Sequence, residues 1–268
     1  MELLPVRGRF ALLAITIAVS GAALSAPLPA GAGETRAVIE LFTSQGCSSC
    51  PAADKLLGEY TRDPSVIALS LPIDYWDYLG WKDTLALPGH AKRQRAYSRV
   101  RGDREVFTPQ AIINGAAYAL GSDRTAIENA VTRTRADAVM SLPLQVAVNG
   151  ERIAIDVPAR RDAGNDNDSD NGNDNDKVRG EVWLCPIARQ VAVAIGRGEN
   201  HDRNITYHNV VRGWMKLGDW SGKPASYSVP VSDVTAKDKA VDGVVVLVQS
   251  GSAAAPGPIV GAAAAPLR

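Results

Sequence analysis

Histidine, cysteine and methionine each occur only three times in 268 residues, and aromatic side chains amount to 6%. His90, His201 and His208 stand at no short metal-ligand spacing from one another or from the cysteines, so no resident metal is expected, and no cofactor. Charge of one sign is lacking too: 29 Lys and Arg offset 29 Asp and Glu, for a formal net charge of zero. A nucleic-acid partner, which needs a basic excess on one face, is therefore not expected. Long hydrophobic runs are missing beyond the amino-terminal leader, where nothing approaches the ~20 residues of a membrane-spanning helix.

What is present begins with that leader. Arg7 and Arg9 frame the start of an apolar stretch, FALLAITIAVSGAAL, and small residues then offer cleavage after Ser25 or after Ala32. This is the pattern of a signal peptide over residues 1–32, which predicts a periplasmic or secreted mature protein. No cysteine follows the leader, so a lipid anchor is not indicated. The chain length favours two domains, and 46% hydrophobic with 22% charged residues is ordinary for a globular protein.

Residues 35–139 read as an α/β unit. AVIELF (37–42) is a short apolar strand, and PAADKLLGEY places Ala53, Leu56, Leu57 and Tyr60 at helical spacing behind Pro51. SVIALSLPID (65–74) is a second strand, followed by the aromatic loop DYWDYLGWKD and the polar helix GHAKRQRAYSRV. AIING and AAYALG form a strand pair turning at Asn114-Gly115, and Ser122 caps a last helix carrying Ile127, Ala130, Val131 and Thr134. From residue 140 the pattern turns to β. LPLQVAVNGERIAIDV is a hairpin about Asn149-Gly150, and GEVWLCPI, QVAVAIG, NITYHNVV, ASYSVPV and GVVVLVQ are further strands. A sandwich-like all-β domain over 140–268 is expected, interrupted by an Asp/Asn-rich loop at 160–177. That loop reads as disordered. Its glycine and lysine fall out of register with an EF-hand, so specific calcium binding is not expected.

Between the first strand and helix stands SQGCSSCP, with Cys47 and Cys50 two residues apart. A sulfur at a helix amino end is exposed to unpaired N–H groups and the positive end of the dipole, which favour thiolate. Cys47 is then the attacking thiol and Cys50, one turn in, the resolving one. A CxxC beside a βαβ pattern is thioredoxin-like. Thr108-Pro109, immediately before a later strand, suits a cis-proline facing the two sulfurs, and Pro109 there would crowd a metal ion. Glu40 on the first strand is a candidate proton relay. Asp74, Tyr75, Trp76, Tyr78 and Trp81 lie beyond the carboxyl ends of the parallel strands and are a candidate substrate platform. Cys185, in an apolar strand, reads as a buried small hydrophobe. Arg197, Glu199, Asn200, Tyr207 and Asn209 read as holding a loop or an interface.

ELFTSQGCSSCPAADKLL, IDYWDYLGWKD, RQRAY, TPQAIING and GSDR, with RGENHDRNITYHNVVR, LGDWSG and GPIVGAA further on, resemble the secreted thioredoxin-like family called domain of unknown function 1223. The resemblance covers nearly the whole mature chain. It implies a thioredoxin-like α/β domain followed by a β-rich one, with thiol chemistry at Cys47 and Cys50, and implies no substrate.

The expected activity is thus an exported thiol–disulfide oxidoreductase whose partner is a protein or small-molecule thiol or disulfide. Two alternatives stand beside it. One is a protein-binding module whose CxxC is a structural disulfide, and the other is a copper-binding module using the two sulfurs. A CxxC disulfide closes so short a loop that it contributes little chain-entropy stabilisation.

Overall fold

The computed structural model describes residues 35–137, 139–160 and 179–267. The leader and the run 161–178, with the expectations attached to them, lie outside the described residues. Strand β1 (Ala37–Thr43) leads into helix α1 (Cys50–Tyr60), strand β2 (Val66–Pro72), helix α2 (Pro88–Arg101), strands β3 (Gln110–Ile113) and β4 (Ala117–Leu120), and helix α3 (Arg124–Ala136). The carboxyl half supplies β5 (Gln145–Asn149), β6 (Arg152–Val157), β7 (Gly180–Ala194), β8 (Asn204–Val211), β9 (Met215–Trp220) and β10 (Ala225–Pro230). A short helix α4 (Val231–Thr235) precedes β11 (Gly243–Ser252) and β12 (Ala255–Pro266).

β1 and β2 run parallel, joined through α1, while β3 and β4 continue antiparallel on the far side of β1. A parallel pair needs such a crossover, and the crossover helix packs back on the sheet. The same sheet does not stop at β2. Ser70 pairs with Val210 of β8, and the order runs β12-β11-β7-β8-β2-β1-β3-β4, with β9 also on β7, nine strands among the described residues. The molecule is mostly β, and a second sheet of three strands, β10-β6-β5, lies over one part of it.

The strand alternation of β1 decides which side chain meets which layer. Ile39 and Leu41 face α1 and α3, sharing a core with Ala53, Leu56, Leu57, Ile127 and Val131. Val38 and Phe42 face α2, in a core that also takes in Cys185, Ile187, Val245, Leu247 and Ile259 from the carboxyl half. A third core sandwiches Ile153 and Ile155 of β6 against Val182, Leu184, Val244 and Val246. The large sheet curls around α2 until β12 reaches the β3–β4 turn, where Ile259 donates to the Asn114 carbonyl at 2.8 Å. Gly115 there has φ +63°, and a Cβ on it would stand 2.6 Å from the Gly257 carbonyl oxygen. Only glycine meets both demands.

Two local expectations are corrected, and one strand is added. Asp123, not Ser122, caps α3, its side chain accepting from Ala126 N–H. GEVWLCPI and QVAVAIG are one strand, β7, because β9 and β8 pair in succession along one edge of it. β12, rich in Ala, Gly and Pro, is a strand although its propensity is poor. Pairing with β11 from Gly243↔Pro266 to Ser252↔Ala255 overrides that weak preference.

Candidate active site

Two successive turns build the CxxC loop: Cys47 N–H donates to Ser44 O at 3.2 Å, and Cys50 N–H to Cys47 O at 3.1 Å. Pro51 in the first turn of α1 suits a position whose N–H needs no helical acceptor. Cys47 and Cys50 are joined in a disulfide with Cα atoms 5.4 Å apart. Cys47 is 5% exposed and Cys50 fully buried, while Ser48 and Ser49 between them are exposed. The dipeptide faces solvent and the sulfurs face inward.

The Thr108–Pro109 peptide is cis, and the Thr108 carbonyl oxygen lies 3.7 Å from Cys47 Sγ. A disulfide sulfur carries no hydrogen, so this is a contact, whereas the Ser49 hydroxyl, 3.5 Å away, has a proton to offer. The aromatic loop wraps the same region. Trp76 Nε1 donates to Thr108 Oγ1 at 2.8 Å, Trp81 Nε1 to Gln45 Oε1 at 2.7 Å, and Tyr75 to Gln94 Oε1 at 3.1 Å. Asp74 contributes its carbonyl to the turn, accepting from Asp77. Tyr78, 76% exposed, stacks on Trp76 at 6.0 Å and is the most open ring of the group.

Glu40 does not face the cysteines. It lies on the α2 side of β1 with Val38 and Phe42, whereas α1 covers the opposite face. Arg93 holds it through Nε at 2.6 Å and Nη2 at 3.1 Å, and the Tyr97 hydroxyl donates to it at 2.6 Å. A carboxylate so fully engaged is a structural ion pair, and the proton-relay expectation for Glu40 is withdrawn.

The carboxylate behind the cysteines is Asp54. It stands one turn after Cys50 on α1, and residues so spaced have Cβ atoms about 5–6 Å apart. Asp54 is 2% exposed and neither of its oxygens makes a hydrogen bond. Burial pushes its pKa up to about 8, with the nearby Thr43 hydroxyl offsetting part of that and the Asp83 carboxyl adding to it. Asp83, 3% exposed, is raised to about 6 by burial, although it accepts from Gln45 N–H at 2.8 Å and Leu85 N–H at 2.9 Å. Tyr207 completes the group, its hydroxyl buried, unpartnered and raised by desolvation and by Asp54 and Asp83. The sequence carried a signal for Asp54: it sits between Cys50 and Leu57 on the buried stripe of α1. Asp83 and Tyr207 carried none, since their neighbours come from other elements.

The β7–β8 loop closes the site from the carboxyl half. Asn200, fully buried, donates through Nδ2 to Gln45 O at 2.9 Å and Cys47 O at 2.8 Å. Glu199 accepts from Ser48 N–H at 3.1 Å, taking a donor that α1 would otherwise present to an anion. Tyr207 and Asn209 sit on β8, where Asn209 donates to Ala68 O at 3.0 Å. Arg197 is exposed on the same β7–β8 loop. Cys185 is free and buried, its thiol pushed up by desolvation. Among the described residues no group of three His, Cys, Asp or Glu could hold a metal ion.

Similar structures are known. An Agrobacterium tumefaciens protein solved by X-ray crystallography matches with a TM-score of 0.74 at 31% identity, covering 88% of this chain and 96% of its own. HBP35 of Porphyromonas gingivalis shares the fold at a TM-score of 0.58 and 11% identity, over 87% of this chain and 76% of its own. No protein of curated function matches the chain. The family described as "Protein of unknown function (DUF1223)" matches residues 38–249, and the chain belongs to that family.

Proposed function

We propose that the protein is an exported, thioredoxin-like thiol–disulfide oxidoreductase acting through Cys47 and Cys50. The observation that carries this reading is the Cys47–Cys50 disulfide at the head of α1, against the cis Thr108–Pro109 peptide. The order β1-α1-β2-α2-β3-β4-α3, with β1 parallel to β2 and antiparallel to β3, supports the thioredoxin-like comparison. The leader at residues 1–32 supports export.

In the reduced protein the Cys47 thiolate attacks one sulfur of a substrate disulfide. That bond breaks, one substrate thiolate leaves, and Cys47 is held in a mixed disulfide. The Cys50 thiol then loses its proton and attacks Cys47 Sγ, forming the Cys47–Cys50 bond and releasing the second substrate thiolate. The substrate gains two electrons and the protein loses two. Asp54, protonated only below about pH 8, is the group placed to take the Cys50 proton in its carboxylate form.

One observation favours the second reading, a structural disulfide in a binding module: Cys47 and Cys50 are both buried. The reduction potential separates the two. The protein is equilibrated in glutathione or dithiothreitol buffers and free thiols are alkylated. A reversible value between about −120 and about −270 mV is expected for an exchange protein, and resistance to reduction below about −300 mV would establish the staple. Cys47→Ser should abolish turnover of a model disulfide.

A further inference from the structure

A groove of about 600 Å³ runs between α1 and β8, beginning at Pro51, the residue after Cys50. Lys55 of α1 and Arg62, in the turn just after that helix, line one wall. Arg203 enters from the start of β8. None of the three makes an ion pair among the described residues, whereas Glu59, the groove's carboxylate, is taken by Arg124. In a chain of zero net charge, three unpaired cations on one cavity are a local excess. His208 closes the floor because α1 has a glycine there: a Cβ on Gly58 would stand 2.6 Å from the imidazole. Burial and the charge of Arg62 both hold that ring below its ordinary pKa, so the groove's charge at neutral pH is carried by Lys55, Arg62 and Arg203.

The second wall is a strand edge. Consecutive residues 203–206 all line the groove, so it meets the edge of β8 and not one face of it. β2 pairs with β8 only at Ser70–Val210, leaving Asn204–His208 without a strand neighbour on the side away from β7 among the described residues. A free edge with backbone donors and acceptors takes an extended chain.

We propose that this groove binds an acidic polypeptide segment, laid along the edge of β8 with its carboxylates toward Lys55, Arg62 and Arg203. Its place as the substrate flank beside the cysteines rests on the exchange reading, whereas binding does not. The test therefore uses the oxidised protein and a labelled, cysteine-free peptide of alternating Glu and Ser, followed by fluorescence anisotropy. At low ionic strength the Glu peptide should bind about tenfold tighter than its Gln counterpart, a preference that shrinks with added salt. The Lys55→Ala/Arg62→Ala/Arg203→Ala variant should lose the preference, and Lys223→Ala, on a distant exposed residue, should keep it. A peptide N-methylated at alternate amides should bind more weakly at equal charge. Equal affinity for the two peptides, an unaffected triple variant, unimpaired binding of the methylated peptide, or citrate binding as tightly as the peptide would each overturn the assignment. A failed redox titration would leave these results standing, so the two readings fall separately.

Discussion

Asp54 costs the folded state free energy whenever it is ionised, and this gives it a measurable signature. Its folded pKa of about 8 lies above the ordinary 3.8, so the native chain holds a proton that the unfolded chain releases. Stability contributed by that proton is present at low pH and is lost as pH rises toward about 8, at up to about 1.4 kcal/mol per pH unit. His90 works in the opposite sense: burial lowers it from 6.5 to about 4, so its contribution is lost as pH falls through that range. Asp83, raised to about 6, has finished titrating above that value. His208, also held below its ordinary value, acts in the same sense as His90, and both have faded about a unit above 6.5, so between about pH 7.5 and about pH 8 the Asp54 slope should dominate. Thermal unfolding across that window should show a falling midpoint, and Asp54→Asn should flatten it. A flat wild-type profile, or an equal slope in the variant, would remove Asp54 from its assigned place. In the sequence Asp54 was legible only as a polar residue on a buried stripe; its lack of partners depends on Thr43, Asp83 and Tyr207, from β1, the aromatic loop and β8.

At the scale of the element, the β7–β8 loop acts on the head of α1. Glu199 puts a carboxylate on Ser48 N–H, next to the sulfur that would carry negative charge in the proposed exchange. An anion beside a forming thiolate disfavours it. Glu199→Gln should thus lower the Cys47 thiol pKa in the reduced protein by about half a unit at low salt, and by less as screening increases. The rate of alkylation against pH reads this directly. No movement, or an upward one, would show that the carboxylate is not felt at Cys47. The sequence marks Glu199 and Asn200 in RGENHDRN as holding a loop or an interface but not which one, because a side chain 151 positions away from Ser48 reaches it by tertiary folding alone. The elements of the amino half were legible, since apolar spacing and turn residues are local signals. β9 and β12 were not, as their strand character comes from pairing.

The two halves of the described chain are joined by a polar cluster between α2 and the large sheet. Glu40 of β1, Arg93 and Tyr97 of α2, and Gln249 of β11 form one chain of hydrogen bonds, with Gln249 Nε2 donating to the Tyr97 hydroxyl at 2.8 Å. Arg93 also lies over the Trp214 ring at 4.4 Å. This network and the apolar core around α2 both cross the boundary expected near residue 139, so the two halves lend each other buried surface. Arg93→Ala should strand a buried carboxylate and destabilise the chain by about 3–5 kcal/mol in denaturant unfolding. The loss should appear as a single transition, because the network joins both halves. A loss below about 1 kcal/mol would mean the ion pair is exposed enough to be replaced by water.

Local chemistry in the sequence was enough to place the strands and helices of the amino half, the CxxC at a helix head, the X-Pro beside it and the buried Cys185. Tertiary structure alone decided which carboxylate lies behind the sulfurs. Strand side chains alternate between faces, so one position in β1 sends Glu40 to α2 and its neighbours to α1. It also decided that the carboxyl half reaches into the site, since Asn200, Glu199 and Tyr207 meet the CxxC helix only after β8 joins β2. Such contacts depend on sheet order, which no local pattern encodes.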